Sequence, residues 1–181
     1  STFIHIPGIG MTTEKKIWDA GMLDWQSESD FAHLPVSKAI IHNLATWTKT
    51  SRTHLAEKNP LFFEKQLPAH QHYRLFKAFR QHSLFLDIET TGLSEAAIIT
   101  TIAAYDGNRI NYFIQGDNLA DFIDFISKYK ILVTYNGKCF DIPFIENYFN
   151  VTLPHAQIDL RYVLGHLGFK GGLKKCEKLL D

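Results

Sequence analysis

The sequence predicts an α/β fold, a mixed sheet flanked by helices, with a small helical region ahead of it. Three observations carry this expectation. Apolar residues recur at helical spacing up to about residue 80 and then take up the alternation of strands. From residue 81 the elements run β-β-β-α-β-α-β-α, an order that builds a mixed sheet with helices against it. Asp106-Gly107-Asn108 lies between two apolar runs as a tight turn, so one strand pair is an antiparallel hairpin.

The elements follow in order. Residues 12–25 read as a helix, capped by Thr12 or Thr13, with Glu14 in its first turn and Ile17, Trp18 and Met22 as its apolar stripe. Residues 36–55 and 69–80 read as two more helices, and Pro60 and Pro68 punctuate the connection between them. Tyr73, Leu75, Phe76 and Phe79 supply the buried face of the second. Strands are expected over 84–88, 97–105 and 110–115, then an amphipathic helix over 119–129. A strand at 131–135, a helix at 140–149, a brief strand at 158–160 and a helix to about 167 complete the pattern. The expected division is a helical region at 1–80 and the sheet domain at 81–181.

Bulk properties narrow the function classes. The chain has 181 residues, 45% of them hydrophobic, enough to bury a real core. No apolar run approaches the roughly 20 residues of a membrane span, and no secretory leader pattern opens the chain. Cys139 and Cys176 stand apart, with no Cys-x-x-Cys, which supports neither a disulfide framework nor a zinc site. A reducing, cytoplasmic setting and no membrane partner are the corresponding expectations, and no protein partner can be inferred. Net charge is zero, with ten Lys/Arg against seven Asp/Glu in residues 1–80 and nine against twelve beyond. That balance argues against a strongly basic nucleic-acid coat.

Asp87-Ile88-Glu89 is the chemistry candidate. Residues two apart on a strand share a face, so both acids project together from the apolar run Leu84-Phe-Leu86. Adjacent carboxylates repel, and one keeps its proton unless a cation lies between them. A divalent cation resolves the conflict, and an all-oxygen set favours Mg²⁺ or Mn²⁺. The alternative is a solvated strand end. Two neighbours favour the site: the small-residue turn Thr90-Thr91-Gly92-Leu93, where a ligand backbone can come close, and Asn136-Gly-Lys-Cys-Phe140-Asp141 at a strand–helix junction. Ligands of open α/β sheets gather at such carboxyl ends of strands, and Asp141 approaches Asp87 and Glu89 if the two strands are neighbours.

Phe85-Leu-Asp-Ile-Glu-Thr-Thr-Gly-Leu93 resembles the first motif of the DEDD superfamily of DnaQ-like, ribonuclease H-like 3′–5′ exonucleases. Val133-Thr-Tyr-Asn-Gly-Lys-Cys-Phe-Asp-Ile-Pro-Phe-Ile145 resembles its second. Ile158-Asp159-Leu160 is similar to the following strand, whose Asp is often not a metal ligand, and Gly171-Gly-Leu-Lys-Lys-Cys-Glu-Lys-Leu-Leu180 to the helix after it. The bacterial YprB ribonuclease H-like branch is the most similar. Its likeness extends to Phe3-Ile-His-Ile-Pro-Gly-Ile-Gly10 and to Phe62-Phe63, Leu67-Pro68 and Arg74-Leu75-Phe76.

The resemblance implies a ribonuclease H-like sheet and hydrolysis of the terminal phosphodiester at a single-stranded DNA or RNA 3′ end. Two Mg²⁺ or Mn²⁺ ions, roughly 3.5–4 Å apart, serve such a reaction. By the resemblance Asp87 bridges both ions, Glu89 binds one and helps orient the water, and Asp141 holds the other. Gly92 and Leu93 match positions that meet the terminal nucleotide, with Thr90 and Thr91 in the same turn. Asn136 and Phe140 shape the surroundings, Phe140 mainly by packing.

One part of the pattern is missing. The superfamily takes a fourth carboxylate from a later Tyr-x-x-x-Asp or His-x-x-x-x-Asp helix, and the single match here, His82 to Asp87, reuses the first-motif acid. The domain is therefore expected to be incomplete at its C-terminal end, a portion of a longer enzyme with little activity of its own. The alternative is a naturally short member, a non-catalytic module that binds nucleic acid.

The remaining features have plainer readings. Pro7-Gly8-Ile9-Gly10 resembles the turn of helix-hairpin-helix modules, which implies either a turn that packs the first helix or a phosphate contact through Gly8 and Gly10. His5 is expected at the surface and Cys139 as a small buried filler. Lys170, Lys174, Lys175 and Lys178 form a basic cluster, read as a solvated face with strand contact as the alternative.

Overall fold

A computed structural model describes residues 1–25, 31–94 and 96–180 of the chain. The chain divides into two units, Ser1–Pro68 and Ala69–Asp181, so the helical segment after Pro68 groups with the sheet.

The Ser1–Pro68 unit holds α1 (Met11–Asp19), α2 (Lys38–Ala56) and α3 (Pro60–Gln66), with a 3-10 turn at Phe31–His33. Gly10 precedes α1 as its N-cap and supplies no side-chain bond, so neither Thr12 nor Thr13 caps the helix. Glu14 is buried and points back instead, accepting from the Thr2 hydroxyl at 2.7 Å and the Phe3 amide at 2.6 Å. Those bonds hold Phe3 and Ile6 in a core with Ile17, Leu44 and Phe63. Ser37 caps α2 through the Ile40 amide. Pro60, read from the sequence as punctuation, occupies the first turn of α3 behind the cap Asn59. A proline there costs nothing, since its missing N–H has no helical partner in any case.

His5 corrects a second expectation. It is 1% exposed, within 2.7 Å of the Ser51 hydroxyl and in ring contact with Trp25 and Phe63. Burial pushes its pKa down to about 4, which keeps the ring neutral and apolar enough for the core.

In the Ala69–Asp181 unit, α4 (Arg74–Phe79) is flanked by 3-10 turns at Ala69–Gln71 and Arg80–His82 and leads into the sheet. The strands are β1 (Ser83–Thr90), β2 (Ile99–Tyr105), β3 (Ile110–Ile114), β4 (Ile131–Thr134) and β5 (Ala156–Asp159), in the order β3-β2-β1-β4-β5. The β1–β2 and β2–β3 pairs are antiparallel, while β1–β4 and β4–β5 are parallel, so the expected mixed sheet is present. Asp106 makes the hairpin turn, its carboxylate accepting from the amides of Asn108 at 2.8 Å and Arg109 at 3.0 Å, with Gly107 at φ +96°. The helices are α5 (Phe122–Ile126), α6 (Asp141–Phe149), α7 (Leu160–His166) and α8 (Leu173–Leu180).

Alternation along β1 sends Leu84, Leu86 and Ile88 to one face. There they pack with Ile102, Ala104 and Phe113 of the neighbouring strands and with Phe122, Ile126, Ile142 and Ile145 of α5 and α6. Phe85, Asp87 and Glu89 face the other way. The long helix expected over 119–129 is instead a 3-10 turn at Leu119–Asp121 followed by the five-residue α5. Among the described residues no helix is long and apolar enough to cross a membrane.

Candidate metal centre

Asp87 and Glu89 are both exposed on the same face of β1, and Ile88 between them is buried on the other. The β1–β2 register slips just beyond, between Glu89 and Thr90. Bulges of this kind re-aim the residues at a strand's end. The turn after the bulge is closed by its own bonds: Thr90 donates its hydroxyl to the Gly92 carbonyl at 2.8 Å, and the Thr91 hydroxyl accepts from the Ile98 amide at 3.0 Å. The two threonines therefore shape the turn through their hydroxyls. Leu93, at 85% exposure, projects from it into solvent.

Asp141 reaches the same end of the sheet from another direction. Parallel pairing of β1 with β4 runs from Ser83 and Ile131 to Phe85 and Val133. Past that point the Ile88 amide donates to the Asp141 carboxylate at 3.3 Å. The third acid is thus anchored on the peptide group that separates the other two. It is 4% exposed and opens α6.

The loop that delivers Asp141 is held by residues whose roles are local. Asn136 sits at φ +67°, a conformation asparagine tolerates better than most side chains. Gly137 packs on Thr134 so closely that an added Cβ would overlap its side chain, the Thr134 methyl lying 2.7 Å away. Phe140 contacts Phe144 at 5.7 Å and packs against the core. Asp159, 1% exposed at the end of β5, then clamps the loop. Its carboxylate accepts from the amides of Asn136 at 2.8 Å, Lys138 at 3.2 Å and Arg161 at 3.0 Å. One carboxylate therefore fastens the Asp141 loop and caps α7. The fastening was not expected from sequence, although an Asp at a strand end directly before a helix is the usual capping signal. Arg161 reinforces it by donating to the Asn136 side-chain oxygen.

Electrostatics tie the acids together. Burial, and then the negative charge of Glu89, raise the Asp87 pKa. Burial above all lifts Asp141 to about 6, with smaller upward contributions from Asp87 and Asp159 and a counteracting Ile88 amide. Even so, among the described residues no three His, Cys, Asp or Glu side chains are grouped to hold a metal ion. Gly8 and Gly10 belong to the other unit, both exposed, Gly8 at φ +83°. Cys139, expected inside, is exposed, because its thiol lies 3.8 Å from the hydroxyl of the exposed Tyr162 rather than in the core.

Residues 84–181 match the family model of the RNase H superfamily. None of the curated proteins gives a match. Among solved structures the chain is similar to the family B DNA polymerase from the hyperthermophilic archaeon Pyrobaculum calidifontis, at 18% identity and a TM-score of 0.36. That likeness covers 49% of this chain and 18% of the polymerase, so the chain spans less than a fifth of the polymerase's length. With more than half of its 181 residues inside the family match, the chain belongs to the RNase H superfamily.

Proposed function

We propose that the Ala69–Asp181 unit is a 3′–5′ exonuclease, of the YprB-like branch, that hydrolyses the terminal phosphodiester of single-stranded DNA or RNA. Asp87, Glu89 and Asp141 are its metal ligands, with Mg²⁺ or Mn²⁺ as the ions. The observation that carries this reading is the bond from the Ile88 amide to Asp141, which anchors a buried carboxylate on the backbone between two exposed ones. The donor set suits a hard dication. It is all oxygen, and the charge of Glu89 raises the Asp87 pKa as the charge of Asp87 raises that of Asp141. Bound there, such ions stabilise the attacking and leaving oxygens of an in-line displacement.

The chain's own residues supply position and surroundings. Asp141 is fixed by its amide donor and by the loop that Asp159 clamps, whereas Asp87 and Glu89 are exposed and can turn toward it. The Thr90–Thr91–Gly92 turn presents Leu93 to the terminal base. Asn136 and Phe140 set the far wall. Taken by itself, the Ser1–Pro68 unit offers the backbone amides of Gly8 and Gly10 to a nucleic-acid phosphate. Because three carboxylates stand here where the resemblance calls for four, turnover by the 181 residues is expected to be slow.

A second reading is a module that holds nucleic acid without cutting it. The lack of any three grouped metal ligands among the described residues favours it. Incubating the chain with 3′-labelled and 5′-labelled single strands and Mn²⁺ separates the two. Slow release of mononucleotides from the 3′ end is expected, reduced about 100-fold or more in Asp87→Ala. If wild type and Asp87→Ala retain the strand equally and neither shortens it, the exonuclease reading falls and the binding module replaces it.

A further inference from the structure

Two depressions of the Ala69–Asp181 unit meet at the carboxyl end of β4. The smaller, 310 Å³, has Asp87 in its lining together with Phe85, Tyr105 and Thr134. The larger, 640 Å³, is lined by Asn136, Arg161, Phe169, Lys170 and the backbone of Gly171. Tyr135 lines both. Its hydroxyl donates to the Gly171 carbonyl, which holds the ring as a fixed partition with Asp87 on one side and the cations on the other.

The smaller depression is mostly apolar with one acid, Asp87, whereas the larger cleft carries two cations. Arg161 and Lys170 are exposed, and neither forms an ion pair among the described residues. Arg161 gives one N–H to Asn136, which orients the guanidinium and leaves its other donors to the cleft. The nearby carboxylate, Asp159, is buried and already accepts three backbone amides. Phe169 is half-buried and adds a flat apolar surface beside the cations. Paired cations next to aromatic rings match the alternation of phosphodiester and base along a single strand.

We propose that this cleft binds the body of a single-stranded polynucleotide, its phosphodiester on Arg161 and Lys170 and a base against Phe169. The strand continues past Tyr135 into the Asp87 depression. Placing the 3′ terminus at Asp87 rests on the exonuclease reading, but the binding of the strand needs neither metal nor hydrolysis. A cleft of this volume also admits a free nucleotide, which has the same chemistry, and the experiment tells the two sources apart.

The test is fluorescence anisotropy of the full chain in EDTA with 5′-labelled 12-residue oligo(dT) and oligo(rU), over a range of salt. Lys170→Glu and Arg161→Gln are each expected to weaken binding about 5–10-fold and to flatten the salt dependence by about 0.7 in slope for each phosphate no longer neutralised. Phe169→Ala is expected to weaken binding with the slope unchanged. Lys170→Glu carries the decision, because Lys170 makes no ion pair among the described residues, whereas Arg161 also supports Asn136. Wild-type affinity and slope in Lys170→Glu overturn the proposal. So does thymidine monophosphate competing at the strand's own concentration, which makes the cleft a free-nucleotide site. The exonuclease reading is judged separately by Asp87→Ala. A chain that binds through Lys170 yet never cuts keeps this inference and loses that one, and a chain that cuts with unaltered strand affinity in Lys170→Glu does the reverse.

Discussion

Asp141→Asn is expected to make the metal-free protein more stable at pH 8, by about 2–3 kcal/mol, and to leave it nearly unchanged at pH 4. The native pKa of Asp141 stands at about 6, above its ordinary 3.8, because burial penalises the charged form. For a carboxylate raised in this way the native state binds the proton more tightly than the unfolded chain. Its contribution to stability is therefore fully present below pH 3.8 and is lost as pH rises through 6. Each pKa unit corresponds to about 1.4 kcal/mol, which sets the size of the effect. Asparagine keeps the volume and an oxygen for the Ile88 amide while removing the charge, so the variant escapes the loss. Urea unfolding in EDTA at the two pH values checks it, and equal stabilities at pH 8 would show that Asp141 bears no such burden. Charged groups held against a desolvation cost concentrate at functional sites, in keeping with the role proposed for Asp141.

Asp159→Ala is expected to cost about 3–4 kcal/mol at neutral pH. The substitution strips an acceptor from three amides at once, those of Asn136, Lys138 and Arg161. Each orphaned buried amide costs about 1–3 kcal/mol, reduced where Asn136 and Lys138 can still reach water. The loop that carries Asp141 should loosen with it, so amide hydrogen exchange over 136–141 should quicken more than exchange in β1 or β2. Asp159→Asn should lie between, since a side-chain amide cannot accept at both positions. Uniform protection loss across the sheet would instead make Asp159 an ordinary core residue.

Local chemistry makes much of the molecule legible in the sequence. The alternation in Leu84–Ile88 and the Asp106-Gly107-Asn108 turn are short-range signals, and both act as read, placing Asp87 and Glu89 on one face and folding β2 onto β3. What escapes is tertiary. The surface expectation for His5 fails because its partner, Ser51, lies 46 residues away and no local pattern announces it. Residues 119–129 have a helical stripe, but the backbone begins as a 3-10 turn and returns to the β4 edge sooner than the stripe suggests. Pro60 reads as a break, yet Asn59 before it makes it a helix start. At the site, the spacing of Asp87 and Glu89 is local and visible, whereas Asp159 as the clamp and Tyr135 as the partition depend on contacts 21 to 36 residues apart.

If Asp87, Glu89 and Asp141 act as one carboxylate site for divalent cations, the metal-free chain binds Mn²⁺ through them. Calorimetric titration with Mn²⁺ at pH 8 tests this most directly. Saturable binding is expected, weakened about 10-fold or more in Asp87→Asn and again in Asp141→Asn, because each substitution removes a charged oxygen donor. Absence of binding at millimolar Mn²⁺, or binding that both substitutions leave untouched, would contradict a shared carboxylate site.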